Sequence, residues 1–188
     1  MTITSSTSKA VAWEIKFLES INARAQKDNG VKAAFKRAMS GEPGHIRKVY
    51  EFVLPCLETA TEWEQNHVWI PVACLSVYYP QTIHEAEQQH KRNFGHSCRR
   101  LATATNSEGA DRRFRALLDL ALTDIQSPLT ALVRQMKTRG IAIDYAQLLA
   151  DLRRWEHPDQ YIQDQWARAF WGAERSTQAN GTEEPGNE

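Results

Sequence analysis

Apolar side chains return every three or four residues along almost the whole chain, and nowhere do they alternate over the length of a strand. Such a period gathers them on single helix faces, which can be buried only against other helices, so the class is all-α. Val11, Ile15, Leu18, Ile21 and Ala25 form the first stripe, which the Asn29-Gly30 pair is expected to end. Val31, Ala34, Phe35 and Ala38 mark a second, short helix with Lys32, Lys36 and Arg37 on its other faces. Ser40 to Gly44 reads as a loop, and Ile46, Val49, Tyr50 and Val53 as a helix stopped at Pro55. Trp63 to Tyr79 is the stretch best suited to complete burial, kinked or divided at Pro71 and ended by Pro80. Residues 81–94 are rich in Gln and His, show no stripe, and read as a loop or weakly held helix. Gly95 is expected to precede a short helix around Cys98 to Ala104, and Thr103 to Gly109 is loop-like.

Phe114, Leu117, Leu118, Ala121 and Ile125 define a strong amphipathic helix with arginines in its first turn. Ser127-Pro128 is a cap followed by proline at the first helical position, and Leu129, Leu132, Val133 and Met136 carry that helix to Gly140. Ile141 to Ile143 is an extended link. Asp144 caps a helix with Tyr145, Leu148, Leu149, Leu152 and Trp155 on one face. Pro158-Asp159 starts the last helix, in which Ile162, Trp166, Ala169 and Phe170 face inward and Gly172 closes. A chain of 188 residues has room for one well-buried domain. It is expected to hold about eight or nine helices over residues 11–172. They can be divided into an N-terminal lobe (11–108) and a C-terminal helical bundle (109–172). Residues 1–10 and the acidic tail 173–188 are expected to be disordered. No run approaches the roughly 18 apolar residues of a membrane span. Met1 to Ala10 lacks the charged start and apolar run of a signal peptide. A cytoplasmic protein is expected.

The formal net charge is zero, yet the signs are segregated. Residues 42–90 carry two basic and seven acidic side chains, residues 91–115 seven basic and two acidic, and residues 155–188 again two and seven. Positive and negative bands of this kind let a neutral protein attract a polyanion locally. The basic band is also arginine-rich, and the planar guanidinium fork suits phosphate.

Catalytic patterns are absent. There is neither a P-loop nor a dinucleotide fingerprint. His84-Glu85 opens a zinc-protease pattern, but Gln88 stands where the second histidine belongs. His84, His90, His96 and Cys98 cluster in sequence at spacings that match no established metal site. Cys98 and His96 are two apart, so on a helix they face different ways, and no third partner orients them. Cys56, Cys74 and Cys98 are too few and too scattered for a disulfide framework. Most of the six tryptophans fall on apolar stripes and read as core anchors. The chain is therefore expected to be no enzyme and to hold neither cofactor nor metal.

The cationic set remains. Arg112, Arg113 and Arg115 open a helix whose other face is apolar, so packing must turn the guanidiniums outward. Arg99 and Arg100 belong to the preceding basic cluster, and Arg134, Lys137 and Arg139 lie on the polar side of the following helix. If these helices pack together, their cations form a stripe that can track a nucleic-acid backbone without reading bases. From the residues alone two readings stay open: backbone binding, or a helical protein–protein interaction scaffold without direct nucleic-acid contact.

Three blocks, taken together, resemble the CasB family. They are Asp111-Arg112-Arg113-Phe114-Arg115-Ala116-Leu117-Leu118, Gly140 to Leu152 with its Asp144-Tyr145-x-x-Leu148-Leu149-x-Asp151-Leu152 core, and Trp166-Ala167-Arg168-Ala169-Phe170. Phe94-Gly95 shortly before a basic helix also fits, and the resemblance covers roughly residues 11 to 172. CasB is the small subunit of the type I-E CRISPR surveillance complex, Cascade. The resemblance implies an all-helical subunit without catalytic activity. It also implies a place beside other Cascade subunits and a second copy of itself. There it would support the guide RNA–target DNA heteroduplex and hold the displaced strand. By motif position it also implies that Arg112 and Arg113 match the family's basic pair, and Arg99 or Arg100 the basic residue after Phe-Gly. Lys36-Arg37 would match a basic pair in the N-terminal lobe, and Lys91-Arg92 a lysine-rich loop. The longer acidic C-terminus and the His-rich 84–96 segment depart from the family pattern.

Overall fold

A single buried carboxylate decides which way the first helix turns. The structure, a computed structural model, describes residues 11–81, 93–105 and 108–172; the expected disordered ends, His84, His90, Lys91 and Arg92 lie outside the described residues. Helix α1 spans Ala12–Lys27 and buries Phe17, Leu18, Ile21 and Ala25. Contrary to the expected stripe, Ile15 is 40% exposed while Glu14 is 1% exposed. The cause is distant in sequence: Arg153 Nη1 lies 2.9 Å from Glu14 Oε1, and its guanidinium sits 5.3 Å from the centroids of both Trp13 and Trp69. A charge taken out of water needs such a partner, and satisfying it rotates Ile15 outward.

The Asn29-Gly30 pair begins a helix rather than ending one. Asp28 is the extended N-cap of α2 (Asn29–Ala38), and its Oδ1 accepts from Gly30 N at 2.6 Å and Val31 N at 3.3 Å. An aspartate already placed to satisfy two orphan donors outweighs the Asn-Gly stop signal. Left-handed glycines do appear at Gly41 (φ 77°) and Gly140 (φ 65°), where chain reversals require them. Short helical turns then lead to the capping box of Thr61 and Glu64. A π turn, Gln65–Trp69, runs directly into α3 (Ile70–Tyr78). Pro71 thus neither divides nor ends the run. It falls in the first turn of α3, where a missing N–H is tolerated, and the wider turn ahead relieves the ring's clash with the preceding carbonyls. Every residue from Ile70 to Val77 is buried.

Helix α4 spans Phe94–Thr105, so Gly95 lies inside it. A Cβ on Gly95 would stand 2.2 Å from the carbonyl oxygen of Trp166, so glycine is what lets α4 approach α8. Helix α5 (Glu108–Leu118) is shorter than the stripe through Ile125 implied. Ala121 is exposed, whereas Leu122 and Ile125 tuck back into the core from the connecting turns. Helix α6 (Gln126–Thr138) already includes Ser127 and Pro128 and has no side-chain cap. Asp144 caps α7 (Tyr145–Leu152) as expected, accepting from Gln147 N at 2.9 Å. Helix α8 (Tyr161–Trp171) starts after Pro158-Asp159, at a left-handed Gln160 (φ 49°).

Helices α1, α2 and α3 pack on one another, and α7 lies on α1 and α3; α4 packs against α8, α5 and α6. One hydrophobic cluster runs through both groups. The all-α class is confirmed: among the described residues there are eight helices of eight residues or more and no strand. No helix among them is long and apolar enough to cross a membrane.

Asp151, buried in α7, ties the two groups: its carboxylate accepts from Trp166 Nε1 and Gln147 Nε2, both at 2.6 Å. Burial pushes its pKa up from 3.8 to about 6, against those two hydrogen bonds. The native state therefore holds the proton more tightly than the unfolded chain. This carboxyl favours folding below its unfolded value and disfavours it as pH rises through about 6. Between pH 4 and pH 7 the wild type is expected to lose about 2 kcal/mol relative to Asp151→Asn. Denaturant titrations of both across that range measure the difference; parallel pH curves would contradict it. Gly95→Ala is expected to lower the unfolding free energy by about 2 kcal/mol, through forced separation of α4 and α8. A loss below about 0.5 kcal/mol, the range of neutral surface changes, would show that the contact yields.

Candidate nucleic-acid interface

Helix α5 carries its cations in a belt because its apolar residues leave them no other side. Ala110, Phe114 and Leu117 are buried, while Arg112, Arg113 and Arg115 are exposed. At about 100° per residue, Arg113 and Arg115 leave α5 on opposite flanks and Arg112 points outward between them. The three helices α4, α5 and α6 pack on each other, so the cations of the basic band do share a neighbourhood.

On one flank, Arg113 and Arg139, from the end of α6, line a shallow depression together with Leu101, Thr105, Gln135 and Thr138. Arg112, Arg113, Arg134 and Arg139 are exposed and pair with no carboxylate among the described residues. Their charge is therefore available to an external anion. Arg100 is exposed on α4. Lys36 and Arg37 are exposed in the last turn of α2, which packs against α1, α3 and the turns that follow it.

Three members of the cationic set serve the fold. Arg99 donates to the carbonyl of Gly172 and so caps the end of α8. Lys137 donates to the carbonyl of Tyr78 at 2.9 Å and lies 4.0 Å from the centre of its ring, closing α3 against α6. Arg115 Nε is 2.7 Å from Asp111 Oδ2, and its guanidinium carbon stands 4.5 Å from the Trp171 ring centre. Trp171 Nε1 completes this group by donating to Asp111 Oδ1 at 3.0 Å. The Arg115 guanidinium beside Asp111 holds that carboxyl below the usual carboxylate range.

Trp63, which opens the run expected to be completely buried, is 42% exposed, and Trp171, absent from the inward stripe of the last helix, is 44% exposed beside the buried Phe170. Cys98 is buried, and burial raises its thiol pKa well above the ordinary value, which removes the thiolate a nucleophile needs. Among the described residues no three His, Cys, Asp or Glu side chains are grouped to hold a metal.

Comparison with known proteins converges on the family that the three sequence blocks suggested. The family model of CRISPR-associated protein Cse2 matches residues 31–171. A CRISPR-associated protein Cse2 of Thermus thermophilus is 28% identical over 142 residues, 76% of this chain and 79% of that protein. The crystal structure of M. ruber CasB superposes with a TM-score of 0.66 at 25% identity, covering 86% of this chain and 93% of that one. A chain of a CRISPR RNA-guided surveillance complex shares the fold at a TM-score of 0.67 and 16% identity, over 86% of this chain and 92% of its own. Motif blocks, helix order and the family match over most of the chain agree: this protein belongs to the CRISPR-associated Cse2 family.

Proposed function

We propose that the chain is a non-catalytic subunit of a CRISPR RNA-guided surveillance complex of the type I-E Cascade kind, acting in the cytoplasm in antiviral defence. Beside other subunits and a second copy of itself, it supports the guide RNA–target DNA heteroduplex and holds the displaced strand. The observation that carries this reading is the meeting of Arg113 and Arg139 at one depression, with Arg112 exposed next to Arg113 on α5 and without a carboxylate partner among the described residues. Exchanging a DNA duplex for a guide–target hybrid is nearly neutral in free energy, so a few protein contacts to the backbone tip it. Guanidiniums without carboxylate partners are suited to that work, since binding phosphate releases counterions and no internal ion pair has to be broken first. Arg134, exposed on α6, and Arg100, exposed on α4, are taken as further backbone contacts. Lys36, Arg37, Lys91 and Arg92 are further backbone contacts by family position. Arg99 and Lys137 act through the fold, holding the ends of α8 and α3.

The reading is tested in a complex reconstituted around this chain. Arg112→Glu together with Arg113→Glu is expected to leave helical circular dichroism unchanged and to weaken target-DNA binding. The slope of log affinity against log salt is expected to become shallower by about 1.4 to 1.8, for two phosphates lost. Unchanged affinity and slope at moderate salt would contradict it.

A further inference from the structure

Phosphate gripping alone does not explain the group on the other flank of α5. Asp111 neutralises much of Arg115, so this guanidinium adds less to a phosphate field than its neighbours do. What Asp111 accomplishes is orientation. One oxygen takes the Arg115 Nε–H at 2.7 Å and the other takes the Trp171 indole N–H at 3.0 Å. The guanidinium is thereby held 4.5 Å from the ring centre, and the ring is backed by Phe114 at 5.6 Å and Phe170 at 4.9 Å. Trp171 nevertheless stays 44% exposed, and the Arg115 side chain 60%. With the polar atom of the indole already satisfied, what faces solvent is a rigid, flat, cation-capped surface. Planar cations on aromatic rings are the surfaces on which nucleobases stack, without preference for which base.

We propose that the Trp171–Arg115 pair, set by Asp111 at the end of α8, is a stacking seat for one unpaired nucleobase of a single strand. The proposal rests on the reading that this chain binds nucleic acid, and adds to it a contact with a base. A strand crossing α5, about 10 Å wide at its side chains, passes from the Arg113–Arg139 depression over Arg112 to this seat.

The test titrates the full chain with a short single-stranded oligodeoxynucleotide and with an abasic oligomer carrying the same number of phosphates. The wild type is expected to bind the base-bearing strand about tenfold more tightly. Trp171→Leu is expected to abolish that preference while retaining the salt dependence, and Arg115→Gln, a change at an exposed position, to reduce it. Trp171→Phe, which keeps a ring, is expected to retain most of it. Equal wild-type affinity for the two oligomers with the salt dependence intact, or a preference that survives Trp171→Leu and Arg115→Gln, would overturn the seat and leave backbone binding standing. Absence of salt-sensitive binding to either oligomer would overturn backbone binding and the seat together.

Discussion

Trp166 is where the fold is fastened. Its indole N–H reaches the buried Asp151 of α7, and its ring packs on Phe94 of α4 at 5.2 Å and on Trp155 at 4.8 Å. Its carbonyl lies against Gly95, where no side chain fits. The contact therefore joins three helices through one residue, with each neighbour answering a different part of it. A buried carboxylate is costly unless it is hydrogen-bonded, and Asp151 is held from both sides. Because α4 is fixed on α8, α5 and α6 can settle on α4, and the belt of arginines acquires its place.

The cations divide by partner. Where a carbonyl or a carboxylate lies within reach, the cation closes a helix or orients a ring, as Arg99, Lys137 and Arg115 do. Where none does among the described residues, at Arg112, Arg113, Arg134 and Arg139, the guanidinium is exposed. The family motif divides in the same way. Asp144, Asp151 and Trp166 build the scaffold, Tyr145 anchors it by donating to the carbonyl of Leu75 at 3.2 Å, and Arg112-Arg113 present the charge. A motif that identifies the family is thus mostly a record of how the helices are held together. Only a small part of it faces outward.

The helical class, the Asp144 cap, the Gly140 stop and the exposure of Arg112 and Arg113 were legible from period and local chemistry, since each depends on residues a few positions apart. Two of the misreadings trace to a partner far away in the chain. Glu14 faces inward for the sake of Arg153, 139 residues on. Gly95 is interior because of Trp166, 71 residues later. Asn29-Gly30 is different, a local contest between a stop signal and the Asp28 cap that the cap wins. The Asp111–Arg115 pair could be seen as an (i, i+4) spacing, but the tryptophan lying over it could not.

The central claim is that the unpartnered guanidiniums around α5 meet a nucleic-acid backbone. Arginine-specific modification with phenylglyoxal, mapped by mass spectrometry with and without single-stranded DNA, reads those groups one at a time. Arg112, Arg113 and Arg139 are expected to be protected by the DNA, while Arg24 and Arg47, exposed on α1 and on the turns after α2, stay reactive. Equal modification of all five in the presence and absence of DNA would contradict the claim.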